Sequence, residues 1–348
     1  MYTILFILSL LFYYFGSRQN SLIFFYIWGV VLALFSGLRG GFVGRDTPQY
    51  ILVFDDIVSN NNNFINEPGY RLFVKLVDMI GGTQHLVFLV IASVTVYCFC
   101  KFILRYSTKP YLSLLIFVFV GPFYFAIFNQ MRQYLAIGVF LAYLLPLAEN
   151  KKLFKFLFFT ACTAFFAHIS VILLIPFYFI VNFNMRLFVK FAVFIVFNAA
   201  FGFVLYLILQ TPYSYFIVRR SQIDMDLTLV FLQVLISFIF LFFENRLTDK
   251  DDKQLTFFNM AFISFILLTS TFIYPNTSAE VFLRMNNYLF PFMIVLVPNI
   301  TQLFTRKNRV VIVSILCCFL CLYYFRTAIL LGEEYNLAPY SFSIELFS

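Results

Sequence analysis

Five polar clusters interrupt an otherwise apolar chain. They read LRGGFVGRDTPQY from Leu38 to Tyr50, NEPGYRLF from Asn66, FNQMRQYLA from Phe128, FFAHIS around His168 and LRMNNYLF from Leu283. Arg39, Arg45, Arg132 and Arg284 carry planar forks that match phosphate oxygens and stay charged in partly dry surroundings. Asp46, Glu67 and His168 are the groups able to move a proton. Tyr50, Tyr70 and Tyr288 offer flat faces and hydroxyls to a ligand, and the amides of Gln133 and Asn287 occur in the same clusters. Together these types suit a phosphorylated or otherwise anionic ligand.

Each cluster also has a plainer reading. Asp46 before Thr47-Pro48 is placed to cap a short helix, and the arginines near it can be snorkelling anchors. Glu67 before Pro-Gly can be a solvated acid at a helix start, a general base or an acceptor for a sugar hydroxyl. Arg132 stands in the first turn of an apolar helix, where a cation opposes the macrodipole, and an anion beside that end would reverse the penalty. His168 lies in mid-run, where polar groups are costly and point to function, although a hydrogen-bonded packing role is the alternative. Arg219 and Arg220 read as an exposed interfacial patch, and His85 as structural.

The elements that must position these groups follow from composition. Of 348 residues, 62% are hydrophobic and 11% charged, where a soluble domain has roughly a quarter charged. The fold class is all-α, a polytopic integral membrane protein of about 11–12 transmembrane segments, some short or broken. Apolar runs fall near 2–15, 22–38, 84–104, 111–128, 131–148, 153–182, 187–209, 227–243, 255–274, 285–304 and 309–331. The first lacks the basic start and cleavage site of a signal peptide and is expected to remain as a helix. With no repeat or linker, residues 1–348 read as a single integral domain. The polar gap 39–83 is an outer loop, in which Leu72, Leu76, Met79 and Ile80 at helical spacing predict an amphipathic helix near 70–80 lying along the interface. The six cysteines fall inside apolar runs and read as packing residues. The net charge of +8 is dispersed in short loops as a topology signal, so no nucleic-acid partner is expected.

The segment 153–182 makes a helix of about 45 Å, too long for one upright span and too short for two. A turn at His168 resolves the mismatch. With that turn and the N-terminus outside, 15 of the 24 basic residues lie inside and 9 outside, and eight of the outer nine are arginine. That arrangement obeys the positive-inside rule better than a single crossing. It gathers Arg39, Arg45, Arg132, His168, Arg219, Arg220 and Arg284 on one membrane face.

In this order and spacing, GRDTPQY, EPGY with its helix, MRQYLA, FFAHIS and RMNNY resemble the EpsG family of Wzy-type polysaccharide polymerases, over roughly residues 36 to 290. Where the family often has a small residue and Asp-Tyr, this chain has Arg45-Asp46-Thr47, so Asp46 carries over more securely than Arg45. The resemblance implies a GT-C-like membrane glycosyltransferase of the bacterial inner membrane, its site facing the periplasm or cell exterior. It would move a growing glycan from a polyprenyl-diphosphate carrier to a lipid-linked oligosaccharide repeat unit, as in O-antigen or exopolysaccharide synthesis. Partners would be that lipid-linked oligosaccharide, membrane lipid and a chain-length regulator protein. No cofactor and no metal ligand set is expected, with arginines in place of the divalent ion. Asp46, Glu67 and His168 are all open as the base. The alternatives in other classes are a flippase for the same lipid-linked glycan and a glycan ligase.

Overall fold

The computed structural model describes the chain except residues 20, 61–66, 182, 184, 186, 210–226, 249–252, 274–278, 331, 334–335 and 348. Arg219, Arg220 and Asn66 therefore lie outside the described residues. The protein is an all-α polytopic membrane protein. Among the described residues, four helices are long and apolar enough to cross a membrane: Gln84–Tyr106, Met131–Glu149, Gln254–Ile273 and Arg306–Leu330. Shorter apolar helices account for other runs. Two compact units are present, one formed by Met1–Ile175 with Val297–Ser348 and the other by Pro176–Leu296. In the sequence the second unit falls between the two parts of the first.

In the first unit, α1 (Tyr2–Gln19) and α2 (Leu22–Gly37) are followed by two short amphipathic helices, α3 (Thr47–Val58) and α4 (Pro68–Met79). The long α5 (Gln84–Tyr106) carries Lys101 and Arg105 towards its C-terminal end, where cations favour the macrodipole. Next come α6 (Pro110–Phe119), α7 (Ala126–Asn129) and α8 (Met131–Val139), the last extended by a π segment at Phe140–Leu144 and by α9 (Leu145–Glu149). The widened turn precedes Pro146, whose ring would clash with the carbonyl four residues back in a regular helix. The run expected at 111–128 is not one helix. Gly121-Pro122 ends it, since Pro122 donates no backbone hydrogen bond, and Tyr124 N instead donates to Phe117 O at 3.2 Å.

Helix α4 shows what holds the segment between α2 and α5 against the rest of the unit. One face sets Tyr70, Val74 and Val77 against Val53, Phe54, Val87, Phe88, Ile91 and Met131, and full burial of each such side chain stabilises by roughly 1.5–3 kcal/mol. The opposite face leaves Leu72, Leu76, Met79 and Ile80 exposed. A helix apolar on both sides has one face for its own protein and one for a lipid environment.

The segment 153–182 is broken at His168. Helix α10 (Leu153–Phe166) stops there, His168 is extended at φ −157° and ψ 130°, and a 3-10 segment covers Ile169–Leu174.

The second unit holds α11 (Phe177–Ile180), α12 (Leu187–Leu209), α13 (Leu227–Leu241), α14 (Glu244–Thr248), α15 (Lys253–Ile273) and α16 (Ala279–Leu289). Its helices are joined by buried polar contacts. Ser264 Oγ donates to Asn286 Oδ1 at 2.5 Å, Ser270 Oγ to Asn198 Oδ1 at 2.8 Å, and Lys190 pairs with Glu244. In apolar surroundings such interhelical hydrogen bonds contribute on the order of 0.6–2 kcal/mol each. The run expected at 285–304 is also divided: RMNNY lies on α16, and α17 (Phe292–Ile300) begins after Pro291. Helix α18 (Arg306–Tyr324) belongs again to the first unit.

Candidate functional site

The loop after α2 is built around Arg39. Its guanidinium donates from Nη1 to Ser36 O at 2.7 Å, from Nε to Thr47 Oγ1 at 3.1 Å and from Nη2 to Phe128 O at 3.5 Å. The rings of Phe88 and Phe128 lie 4.7 and 5.4 Å from its central carbon. Burial lowers its pKa to about 10, so it is still cationic at neutral pH. Arg39 was expected to hold a ligand, yet it is 0% exposed and reaches no surface in this structure. Its charge is spent on binding the loop, the start of α3 and the end of α7 together.

Gly44 and Asn129 complete that loop. Gly44 has φ +96°, and a Cβ there would lie 2.8 Å from Phe128 O, so the third glycine of the motif is required by both conformation and space. Arg45 N donates to Asn129 Oδ1 at 2.6 Å while the Arg45 side chain is exposed. Asp46 occupies the N-cap position of α3 but makes no side-chain capping bond. It is half-buried and its charge is felt by Tyr50. Burial raises the Tyr50 pKa, with Arg132 opposing the shift through its charge and a hydrogen bond.

At the centre is an ion pair between two motifs. Arg132 Nη1 lies 2.6 Å from Glu67 Oε2, and both side chains are largely buried. Glu67 Oε1 also accepts from Ile169 N at 3.4 Å, so one carboxylate joins EPGY, MRQY and AHIS. The Arg132 guanidinium stands over the Tyr70 ring at 5.2 Å, and its Nε is buried with no hydrogen-bond partner. The anion that relieves Arg132 at the start of α8 is thus supplied first by the protein. Gly69 explains the motif's spelling. A Cβ there would meet Phe165 and Phe166 ring atoms at 2.6 Å and Phe165 O at 2.8 Å. Glycine lets α4 begin directly on the end of α10, which delivers Glu67 to Ile169.

His168 caps the 3-10 segment. Its Nδ1 accepts from Ser170 N at 3.2 Å and lies 2.7 Å from Ser170 Oγ. A backbone N–H can only donate, so the neutral ring carries its proton on Nε2 and presents a donor there. Gln133 is buried, Tyr50 half-buried and Tyr70 2% exposed.

Asp46, Glu67, Arg132 and His168 with Arg45, Tyr50 and Tyr70 therefore belong to connected segments of the first unit. Arg284, Asn287 and Tyr288 belong to α16 of the second unit, in which Arg284 is exposed, Asn287 half-buried and Tyr288 buried. Among the described residues, no three His, Cys, Asp or Glu side chains come together as a metal site.

The C-terminal segment, which carried no sequence signal, frames the same loop. Gly40 N donates to Ser341 O at 2.8 Å, Ser343 N to Leu38 O at 2.9 Å, Gly44 N to Asn336 O at 2.6 Å and Thr83 N to Leu346 O at 2.9 Å. The Tyr340 ring stacks on Phe35 at 4.4 Å and its hydroxyl bonds Phe35 O. Most of these are backbone contacts, and almost any sequence can make them.

The profile of the EpsG family matches residues 22–342, from the start of α2 to the C-terminal segment. The chain belongs to the EpsG family. The matched span takes in every segment of the site, including the C-terminal contacts that the motifs alone did not mark. Membership in the EpsG family makes this a polysaccharide polymerase-like membrane protein. Neither the comparison with curated proteins nor that with solved structures gives a match.

Proposed function

We propose that this EpsG-family protein polymerises a polysaccharide by moving a growing glycan from a polyprenyl-diphosphate carrier onto a sugar hydroxyl of a second lipid-linked repeat unit. The observation that carries the reading is the Glu67–Arg132 pair at the N-terminus of α8, with Tyr50 and Tyr70 against the guanidinium. In the reaction the anomeric C–O bond breaks and its electron pair passes to the diphosphate. Arg132, oriented by Glu67, stabilises that charge with the exposed Arg45. The His168 Nε2–H donates to a phosphate or sugar oxygen. Asp46, half-buried at the start of α3 where Tyr50 feels its charge, takes the proton of the attacking hydroxyl. Tyr50 and Tyr70 line the sugar side. Arg39 acts through the loop it holds. The inner membrane is the site of action, with the pair facing the periplasm or cell exterior, and a chain-length regulator is the protein partner.

The test is reconstitution with one defined lipid-diphosphate repeat unit, read as a ladder of glycan lengths. Arg132→Lys is expected to abolish the ladder at normal protein level, because a point charge lacks the bidentate fork. A full ladder from that variant removes Arg132 from the chemistry. In a null strain, single repeat units are expected to gather on the outer leaflet. Accumulation on the inner leaflet identifies a flippase instead.

A further inference from the structure

Among the described residues, the last of the four long spans is the least covered. Only 17% of the apolar stretch in Arg306–Leu330, which contains α18, is buried, against 61%, 72% and 72% in the other three. Val311 is 53% exposed, Ile315 64% and Leu322 70%. With Lys307 they stand at helical spacing on one face, so a cation heads an apolar stripe about 22 Å long. Helix α18 contains no glycine or alanine, and small residues are what let a second helix approach closely in a membrane. Its bulky side chains suit a flexible acyl chain instead.

Cations gather where this face begins. Arg306 and Lys307 are exposed. Arg309 is turned to its own protein: Nε donates to Thr301 O at 3.0 Å, and Nη2 to Phe304 O at 3.1 Å and Gln302 O at 3.3 Å. Thr108 N and Oγ1 donate to Asn299 Oδ1 at 2.8 and 2.9 Å, which ties the turn carrying Lys109 to the segment that holds Arg309. Burial, and then the Arg309 charge, keep the Lys109 ammonium below its ordinary pKa. Among the described residues the ion pairs are Arg132–Glu67 and Lys190–Glu244, so none of these four cations is paired with a carboxylate. The cluster is remote from the Arg39 loop. Helix α5 has 23 residues, about 34 Å; Arg39 meets Phe88 near its start, and Lys109 follows its end.

We propose that the exposed face of α18 seats an anionic phospholipid, its phosphate among Lys109, Arg306 and Lys307 and an acyl chain along Val311 and Ile315. Apolar bulk alone accepts any lipid. Unpaired cations at its head select an anionic one by charge complementarity. The inference does not depend on the polymerase reading. A lipid seated here steadies the helix that leads into the C-terminal segment framing the Leu38–Thr47 loop.

The experiment uses the whole protein in phosphatidylcholine nanodiscs. The probes are phosphatidylglycerol and phosphatidylcholine carrying the same photoreactive diazirine on one acyl chain. Phosphatidylglycerol is expected to label residues 310–315 about fivefold or more over phosphatidylcholine, since each cation beside an anionic headgroup contributes roughly that factor. The triple variant Lys109→Gln, Arg306→Gln, Lys307→Gln is expected to erase the preference. Lys307→Glu alone, at an exposed position, is expected to lower it about fivefold and carries the test if the triple variant does not fold. Lys155→Gln, which removes an exposed cation from α10, leaves it intact. Phosphatidylcholine labelling equal to wild type shows that a variant is folded. The proposal is overturned if folded Lys307 variants keep the preference, or if Lys155→Gln lowers it as much, which makes it an effect of general surface charge. Displacement by inorganic phosphate as effective as by unlabelled phosphatidylglycerol overturns it in favour of a free anion. Oxidation that links two chains through the exposed Cys318, and is lost in Cys318→Ser, overturns it in favour of a second copy on the face.

Discussion

Glu67→Gln isolates the contact on which the site depends. The substitution keeps the size and one carbonyl oxygen of the side chain but removes the charge opposite Arg132. Breaking a buried ion pair from one side costs roughly 3–5 kcal/mol, because the surviving charge is left unpaired. Here the Arg132 side chain keeps 18% of its surface, and the Tyr70 face remains as a cation–π partner worth about 0.5–2 kcal/mol. The expected cost is therefore about 2–3 kcal/mol. Arg132→Gln should cost a similar amount, since it leaves Glu67 unpaired. The double variant should cost less than the sum of the singles, with a coupling of about 2 kcal/mol, within the usual span for residues in contact. Denaturant unfolding in mixed micelles, followed for all four corners of the cycle, measures this. Additive single costs each below about 0.5 kcal/mol would refute the pairing as the organiser of the site. Glycan synthesis should separate from stability: the double variant is destabilised about as much as either single and gives no ladder, because the cation that meets the diphosphate is gone.

Three further outcomes follow from particular contacts. Gly69→Ala drives a methyl into Phe165 O and should cost about 1–3 kcal/mol; it should also break the hydrogen bond from Ile169 N to Glu67, which faster hydrogen exchange at Ile169 would show. His168→Ala removes a cap and should cost about 0.5–2 kcal/mol. His168→Asn should restore the cap and the stability but not glycan synthesis, and restored synthesis would leave His168 as a cap alone. Tyr340→Ala removes the stack on Phe35 and the bond to its carbonyl, and should shorten the glycan ladder by loosening the Leu38–Thr47 loop; unchanged chain lengths with faster proteolysis of residues 336–347 would confine Tyr340 to anchoring the C-terminus.

Hydropathy and short motifs make much of the fold legible in the sequence. Long apolar runs, the amphipathic α4, the first-turn position of Arg132 and the break at His168 all follow from local rules, because helix formation, capping and helix breaking act over a few residues. The order of the motifs likewise points to the family, whose profile spans residues 22–342. Hydropathy fails where a helix breaker is hidden inside an apolar run. Gly121-Pro122 divides a run that hydropathy alone joins, and Pro291 divides another.

What only the tertiary structure decided is which charged groups meet. Glu67 and Arg132 are 65 residues apart, and Glu67 and Ile169 are 102 apart, so no periodicity relates them. Arg39 and Arg132 look alike as arginines at helix ends. Packing buries the first under Phe88 and Phe128 with hydrogen bonds to Ser36, Thr47 and Phe128 and pairs the second with Glu67 over the Tyr70 ring, its Nε unmatched. The C-terminal segment is silent in the sequence because most of its contacts are backbone hydrogen bonds, which carry almost no residue preference. Sequence by itself determined the membrane class, the helices and the set of groups available for chemistry, since those depend on side-chain type and near neighbours. Folding determined which of those groups pair, and which one is buried inside the loop it holds together.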